Sequence, residues 1–258
     1  MKRDIKTYSK ALKKAVDIEL SREKSYGCVS YYSNGSHDDM DYKTILLSIE
    51  SITNDIIDTN WDKIDNFYDL RNLGLKIENN MFKKTGGINT YKGLIFLQCF
   101  LIYAWIKNIS WEESKFFIKN LSLPLQNDYL NIKKAILFDK HKIKDIRQIP
   151  LSGYKSIFEL IDLLEKDGWP VDIISIFLIS VIDDTTTIKR SSIKRLRELQ
   201  NLADQAFKAW KSKDLKTYHK LSHKLNQIYL SEKISSGGVA DVLTTIMTLR
   251  ILRRNNDY

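Results

Sequence analysis

Residues 92–108, KGLIFLQCFLIYAWIKN, constrain the fold of this chain more than any other stretch. Between its polar ends only Gln98 interrupts an apolar surface that runs around the whole circumference of a helix, and such a helix has to be covered on every side. The apolar part, 94–106, is too short to cross a bilayer and runs into Lys107, so protein rather than lipid is expected around it. A buried central helix needs a shell. A chain of 258 residues with 43% hydrophobic content, three prolines and ten glycines has the material for one.

Helical spacing supplies that shell. Ile5, Tyr8, Leu12, Val16 and Leu20 form one apolar stripe, predicting a helix over 5–24. Further helices are expected over 42–59, 61–80, 111–120, 129–138 and 154–167, with Ser110 and Glu113 as a capping box for 111–120. Trp169-Pro170 opens a strongly apolar helix, Pro170 suiting its first turn. Residues 193–211 and 215–231 read as an exposed helical hairpin, and Gly237-Gly238 precede a last apolar helix. No segment alternates with a strand period and no solenoid repeat is present. The expected fold is all-α: residues 1–258 as a single-domain bundle of roughly ten helices.

Several polar clusters interrupt the bundle. In YGCVSYYSNGSHDDMDY, His37, Asp38, Asp39 and Asp41 crowd together, and carboxylates this close repel unless a cation or proton lies among them. A nucleotide-borne Mg²⁺ is one such cation; a helix cap by Asp39 or Asp41 for the helix starting near Tyr42 is the other reading. In MFKKTGGINTYKGLIF, Gly86 and Gly87 lie between two helices, where free N–H groups and Lys92 would suit a phosphate. On pattern alone the same glycines read first as a helix C-cap ahead of a buried helix, and Gly93 after Lys92 excludes a Walker A loop. Asp183 and Asp184 end an apolar helix at its negative pole, so Lys189, Arg190 or a cation should compensate them.

The net charge of +9 fits nucleic acid, a membrane surface or phosphorylated small molecules. Basic residues around Lys189 to Arg197 and Leu249 to Arg254 come without a nucleic-acid reader motif, so nucleic acid is not the expected partner. Charged residues at the start exclude a secretion signal, and two cysteines, Cys28 and Cys99, make a reducing cytosol the default.

The clusters in this order, NGSHDDM, MFKKTGGINTYKGLIF, DDTTTIKR and SSGGVADVL, resemble the triphosphoribosyl-dephospho-CoA synthases, which make the prosthetic-group precursor of citrate lyase and malonate decarboxylase. Gly27, Val29, Gly35, His37, Asp39 and Met40 match the first family block. Gly87, Asn89, Thr90, Lys92 and Gly93 match Gly-Val-Asn-Thr-His-Lys-Gly. Ser235 to Asp241 follow Ser-Pro-Gly-Gly-x-Ala-Asp, and Glu19 and Glu78 fall where the family carries acids. Ser30, Tyr91 and Ile149 stand where it has Asp, His and Glu, while Thr186, Ser191 and Ser192 replace Asn, Gly and Gly.

The resemblance implies a transferase acting on ATP and 3′-dephospho-CoA, or a related acceptor, with Mg²⁺ and release of adenine. It implies catalytic roles among Asp39, Asp184, Asp241, His37 and Glu78, with Asp39 and Asp184 as metal ligands. Gly87, Asn89, Thr90, Lys92, Gly93, Arg190, Gly237 and Gly238 would hold phosphate. A nucleotide N-glycosidase, a pentosyltransferase for another substrate and a non-catalytic nucleotide-binding protein are the alternatives. The oligomeric state stays open.

Overall fold

The computed structural model describes residues 3–130 and 142–254. They form helices α1 (Ile5–Leu20), α2 (Tyr42–Asp58), α3 (Phe67–Lys84), α4 (Lys92–Ile106), α5 (Trp111–Leu121), α6 (Asn127–Leu130) and α7 (Gln148–Leu151). These are followed by α8 (Lys155–Asp167), α9 (Val171–Val181), α10 (Thr185–Arg190), α11 (Ile193–Lys211), α12 (Leu215–Ser231) and α13 (Gly237–Arg254). Among the described residues there is no strand; Ser30 and Ser33 make one isolated bridge. Most of the helix expected over 129–138 lies outside them.

α4 is the buried axis. Every residue from Leu94 to Trp105 is buried except the half-buried Phe96. α1, α3, α5 and α13 pack around it, and α13 in turn touches α1, α8 and α9. One polar chain crosses this core. Tyr8 Oη donates to Gln98 Oε1 at 2.7 Å, and Gln98 Nε2 donates to Thr245 Oγ1 at 3.1 Å, so α1, α4 and α13 are tied in one register. This is why Gln98 sits in an apolar helix: a buried amide is tolerated when its hydrogen bonds are made inside.

Local chemistry sets the helix ends. Asp41 and Ser110 form capping boxes for α2 and α5. The helix expected over 61–80 starts later, at Phe67, because Asn66 accepts from the Tyr68 and Asp69 N–H groups; residues Trp61–Lys63 form a 3-10 turn. α1 stops at Leu20, before Tyr26 takes a positive φ of 50°.

The pair α11 and α12 corrects the expectation of an exposed hairpin. Leu196, Leu199, Ala203, Ala206 and Phe207 are buried, and α11 packs along α9. Five arginines of the basic clusters are paired within the chain. Arg195 pairs with Glu198 and Glu232, Arg197 with Asp183, Arg250 and Arg254 with Glu165, and Arg253 with Asp162.

At the end of α1, Glu19 and Arg22 form a fully buried ion pair. Arg22 also donates from Nε to the Glu19 carbonyl and from Nη1 to Ser175 Oγ of α9. Removing one member of a buried pair strands the other charge. Arg22→Met should therefore cost about 3–5 kcal/mol, measured by chemical denaturation, and adding Glu19→Leu should restore part of it.

Candidate active site

Asp184 organises the site. Rather than ending the helix before it, Asp184 is the N-cap of α10, accepting at Oδ1 from the N–H groups of Thr186 (2.7 Å) and Thr187 (3.2 Å). Its Oδ2 accepts from Val239 N–H at 3.2 Å, and the Gly238 N–H also bonds to it. One buried carboxylate thus gathers the starts of α10 and α13. Glycine is required at 238, since a Cβ there would lie 2.9 Å from Asp184 Oδ1. Burial lifts the Asp184 pKa above the ordinary carboxylate value while the backbone donors oppose the rise. Asp183 is compensated separately, by Arg197, Gln200 and the Lys144 N–H, and not by Lys189 or Arg190.

The α1–α2 loop is laid against this hub. His37 Nε2 hydrogen-bonds Ser235 Oγ at 3.0 Å, and Arg190 Nη2 donates to His37 Nδ1 at 3.1 Å. Arg190 also donates to the carbonyls of Ser36 (2.8 Å) and Lys233 (3.2 Å), so it clamps the loop. Burial, and then the Arg190 charge, hold the His37 pKa below its usual value. Asp39, exposed, lies 3.6 Å from His37 Nδ1.

The start of α4 closes the other side. Asn89 Oδ1 accepts from the Lys92 N–H, Thr90 Oγ1 meets Ser48 Oγ at 2.5 Å, and Gly93 lies against Asp241 so closely that a Cβ would overlap Oδ2. Asp241 keeps contact with the open space yet has protein on nearly every side. Burial pushes its pKa well above the ordinary carboxylate value, the Asp184 and Glu19 charges add to this, and the Leu94 N–H opposes it.

Together these elements enclose a cavity of about 470 Å³. His37, Asp39, Asn89, Thr90, Lys92, Gly93, Asp184, Arg190, Gly237, Gly238 and Asp241 all line it, although they come from separate parts of the chain. Two expected residues do not. The Gly87 N–H is bonded to Phe82 O at 2.7 Å, capping α3, so the helix-cap reading holds for that glycine. Glu78 pairs with Lys92 at 2.6 Å and faces a neighbouring cavity. The sequence reading missed Lys144 and Ile146 on the wall; they come from an irregular stretch with no motif. Of the positions that depart from the family pattern, Tyr91, Ile149 and Thr186 face the cavity, whereas Ser30, Ser191 and Ser192 do not. Cys28 lines it too, but burial lifts its thiol to about 11, which removes it as a nucleophile at neutral pH.

Residues 5–257 match the CitG family, described as ATP:dephospho-CoA triphosphoribosyl transferase. The chain belongs to this family. It is 28% identical to a Streptococcus mutans protein named "probable 2-(5″-triphosphoribosyl)-3′-dephosphocoenzyme-A synthase", over 93% of this chain and 94% of the relative. Proteins of the same name from Streptococcus pyogenes serotype M5 and Streptococcus equi subsp. zooepidemicus are 25% and 27% identical. The first pairing covers 93% of this chain and 95% of the relative, the second 89% and 91%. No solved structure matches the chain. Among the described residues no helix is long and apolar enough to cross a membrane.

Because Asp184 caps two helices at once, Asp184→Ala should lower stability by about 2 kcal/mol or more, read from the denaturation midpoint. A cap serving one helix alone would give about half that loss.

Proposed function

We propose that this chain transfers the 5-triphosphoribosyl unit of ATP to the 2′-hydroxyl of 3′-dephospho-CoA, or a related acceptor, and releases adenine. The observation that carries this reading is the convergence of Asp241, Asp39, His37, Asn89, Thr90 and Lys92 on one cavity, in a member of a family described by that activity. The C1′–N9 bond of ATP breaks and its electron pair leaves with adenine. The acceptor oxygen bonds to C1′, its proton passes to a base, and adenine takes up a proton. The triphosphate stays intact.

Three physical tasks follow. First, adenine leaves best when protonated, and Asp241 holds a proton at pH values where an exposed aspartate has lost it. We assign it the general acid. Second, positive charge develops at C1′ and is stabilised by nearby carboxylates, as in glycoside cleavage; Glu19 and Asp184 face that space. Third, the triphosphate has to be held still, a task for Asn89, Thr90, Lys92 and Lys189, with Arg190 contributing charge from its clamped position. Asp39 is the exposed carboxylate left to accept the acceptor's proton or to meet the metal.

Mg²⁺ fits only as part of the nucleotide complex. Among the described residues no group of three or more His, Cys, Asp or Glu is arranged to hold a metal. Mg²⁺ needs one or two carboxylates when phosphate oxygens supply the rest. Asp39 suits that need; Asp184 does not, since backbone N–H groups occupy its oxygens. Bound Mg²⁺ would neutralise triphosphate charge. A cytosolic setting agrees with two buried, unpaired cysteines.

A second reading has one observation behind it. Tyr91 and Ile149 face the cavity where the family pattern carries His and Glu, as in a pocket that binds a nucleotide without converting it. One assay separates the two: Mg²⁺-ATP with and without dephospho-CoA, following free adenine and acceptor mass. Transfer gives adenine only with the acceptor and a matching gain in acceptor mass. Adenine without acceptor means hydrolysis, and ATP binding without adenine supports the second reading.

Asp241→Asn should lower adenine release about 10²–10⁴-fold. Its effect on stability has the opposite sign. The folded pKa of Asp241 lies above the unfolded one, so the stability that it contributes is complete below about pH 3.9 and is lost as pH rises through the folded value. The variant, unable to ionise, should unfold at a higher temperature than wild type near pH 8 and show a flatter pH dependence.

A further inference from the structure

We propose that a second cavity beside the first receives the pantetheine arm of the acceptor, the thiol-ended chain of two amides that follows the diphosphate in dephospho-CoA. This rests on the transfer reading above.

The two cavities share a wall. Lys92, Gly93, Ile146, Thr185 and Lys189 line both. Their linings differ in balance. The first presents carboxyls, an imidazole and backbone donors, while the second, of about 480 Å³, is faced by Phe67, Leu70, Ile95, Phe96 and Phe100 of α3 and α4, and its three carboxylates are each paired with a cation on the same lining: Asp128 with Arg71, Glu78 with Lys92 and Asp145 with Arg147. That volume lies within the range of small-molecule sites, whose walls are mostly apolar with a small number of polar groups. A dephospho-CoA molecule has the same division: a ribose and diphosphate at one end, a weakly polar arm at the other. With its 2′-hydroxyl in the first cavity, its diphosphate would reach the seam. Lys189, which makes no ion pair among the described residues, stands there beside Lys92.

Gly74 supplies the independent observation. It lies in the middle of α3, where glycine weakens a helix relative to alanine. A tight helix crossing would explain it, but a Cβ at 74 would meet only Cys99 Sγ, at 3.4 Å, within 4 Å. The residue lines the cavity, so what its missing side chain preserves is open space. Cys99 on the same wall is lifted by burial to about 12, so at neutral pH it offers no thiolate to a bound molecule.

Equilibrium titration of the full chain with dephospho-CoA, ADP and ATP tests this, since ADP carries the adenosine and diphosphate without the arm. Wild type should bind dephospho-CoA about 10-fold or more tightly than ADP, and Gly74→Leu should erase that advantage while leaving ADP and ATP within about 2-fold. Gly74→Ala, which favours the helix and adds one methyl, should weaken dephospho-CoA about 2–3-fold with an unchanged or higher melting temperature; it decides the question if the leucine variant does not fold. Equal affinity of wild type for dephospho-CoA and ADP, or undiminished dephospho-CoA binding by the folded variants, overturns the proposal. Adenine release is scored separately. Arm-dependent binding without adenine release sinks the transfer reading alone, whereas acceptor-dependent release with no effect at Gly74 sinks the arm site alone.

Discussion

The site depends on a single buried carboxylate accepting backbone N–H groups from two helices. A helix start leaves its first N–H groups without partners, and two such starts facing one place would be costly to bury. Asp184 satisfies both. It thereby fixes where α10 and α13 meet, and so where Arg190, Ser235 and Asp241 stand relative to each other. The arrangement also explains the glycines around it. Gly238 lets the second helix approach the carboxylate, and Gly93 lets α4 approach Asp241.

This concentration of acids is possible because each has a different solution to burial. Glu19 is matched by Arg22, Asp183 by Arg197, and Asp184 by backbone dipoles. Asp241 has the Leu94 N–H as its compensating donor, and burial pushes its pKa well above the ordinary carboxylate value. These four of the five carboxyls lining the cavity therefore do not behave alike. The chemistry proposed for the cavity uses that difference: a proton donor next to negative charge, which is what departure of a purine from a ribose needs.

Legibility in the sequence followed the range of the interaction. The all-round apolarity of 92–108 required a buried axis, and α4 is one. Ser110 with Glu113 announced a capping box because the partners lie three residues apart, and of the two acids offered as a cap near Tyr42 it is Asp41 that caps α2. The family blocks marked His37, Asn89, Lys92 and Asp241 before any contact was visible. Failures arose where two readings share one local signal. The pattern of Gly86-Gly87 favours a helix C-cap while the family blocks point to a phosphate loop, and the bond from Gly87 N–H to Phe82 O decides for the cap at Gly87. The two acids at 183–184 looked like an unfavourable helix end, but Asp184 starts the next helix through the Thr186 and Thr187 N–H groups; only its bond to the Val239 N–H at the start of α13 comes from more than 50 positions away.

What the sequence by itself determined was local: helix content, the buried axis, the caps and the family. Those depend on residues within a turn or two of each other, whose spacing a chain carries openly. The tertiary structure alone decided that α11 and α12 belong to the core, that five arginines of the basic clusters are taken up in ion pairs, and that Gly74 opens onto a cavity with an apolar wall. Each of these rests on what a distant segment places opposite a residue, and periodicity along one helix gives a face its polarity without saying what lies across from it.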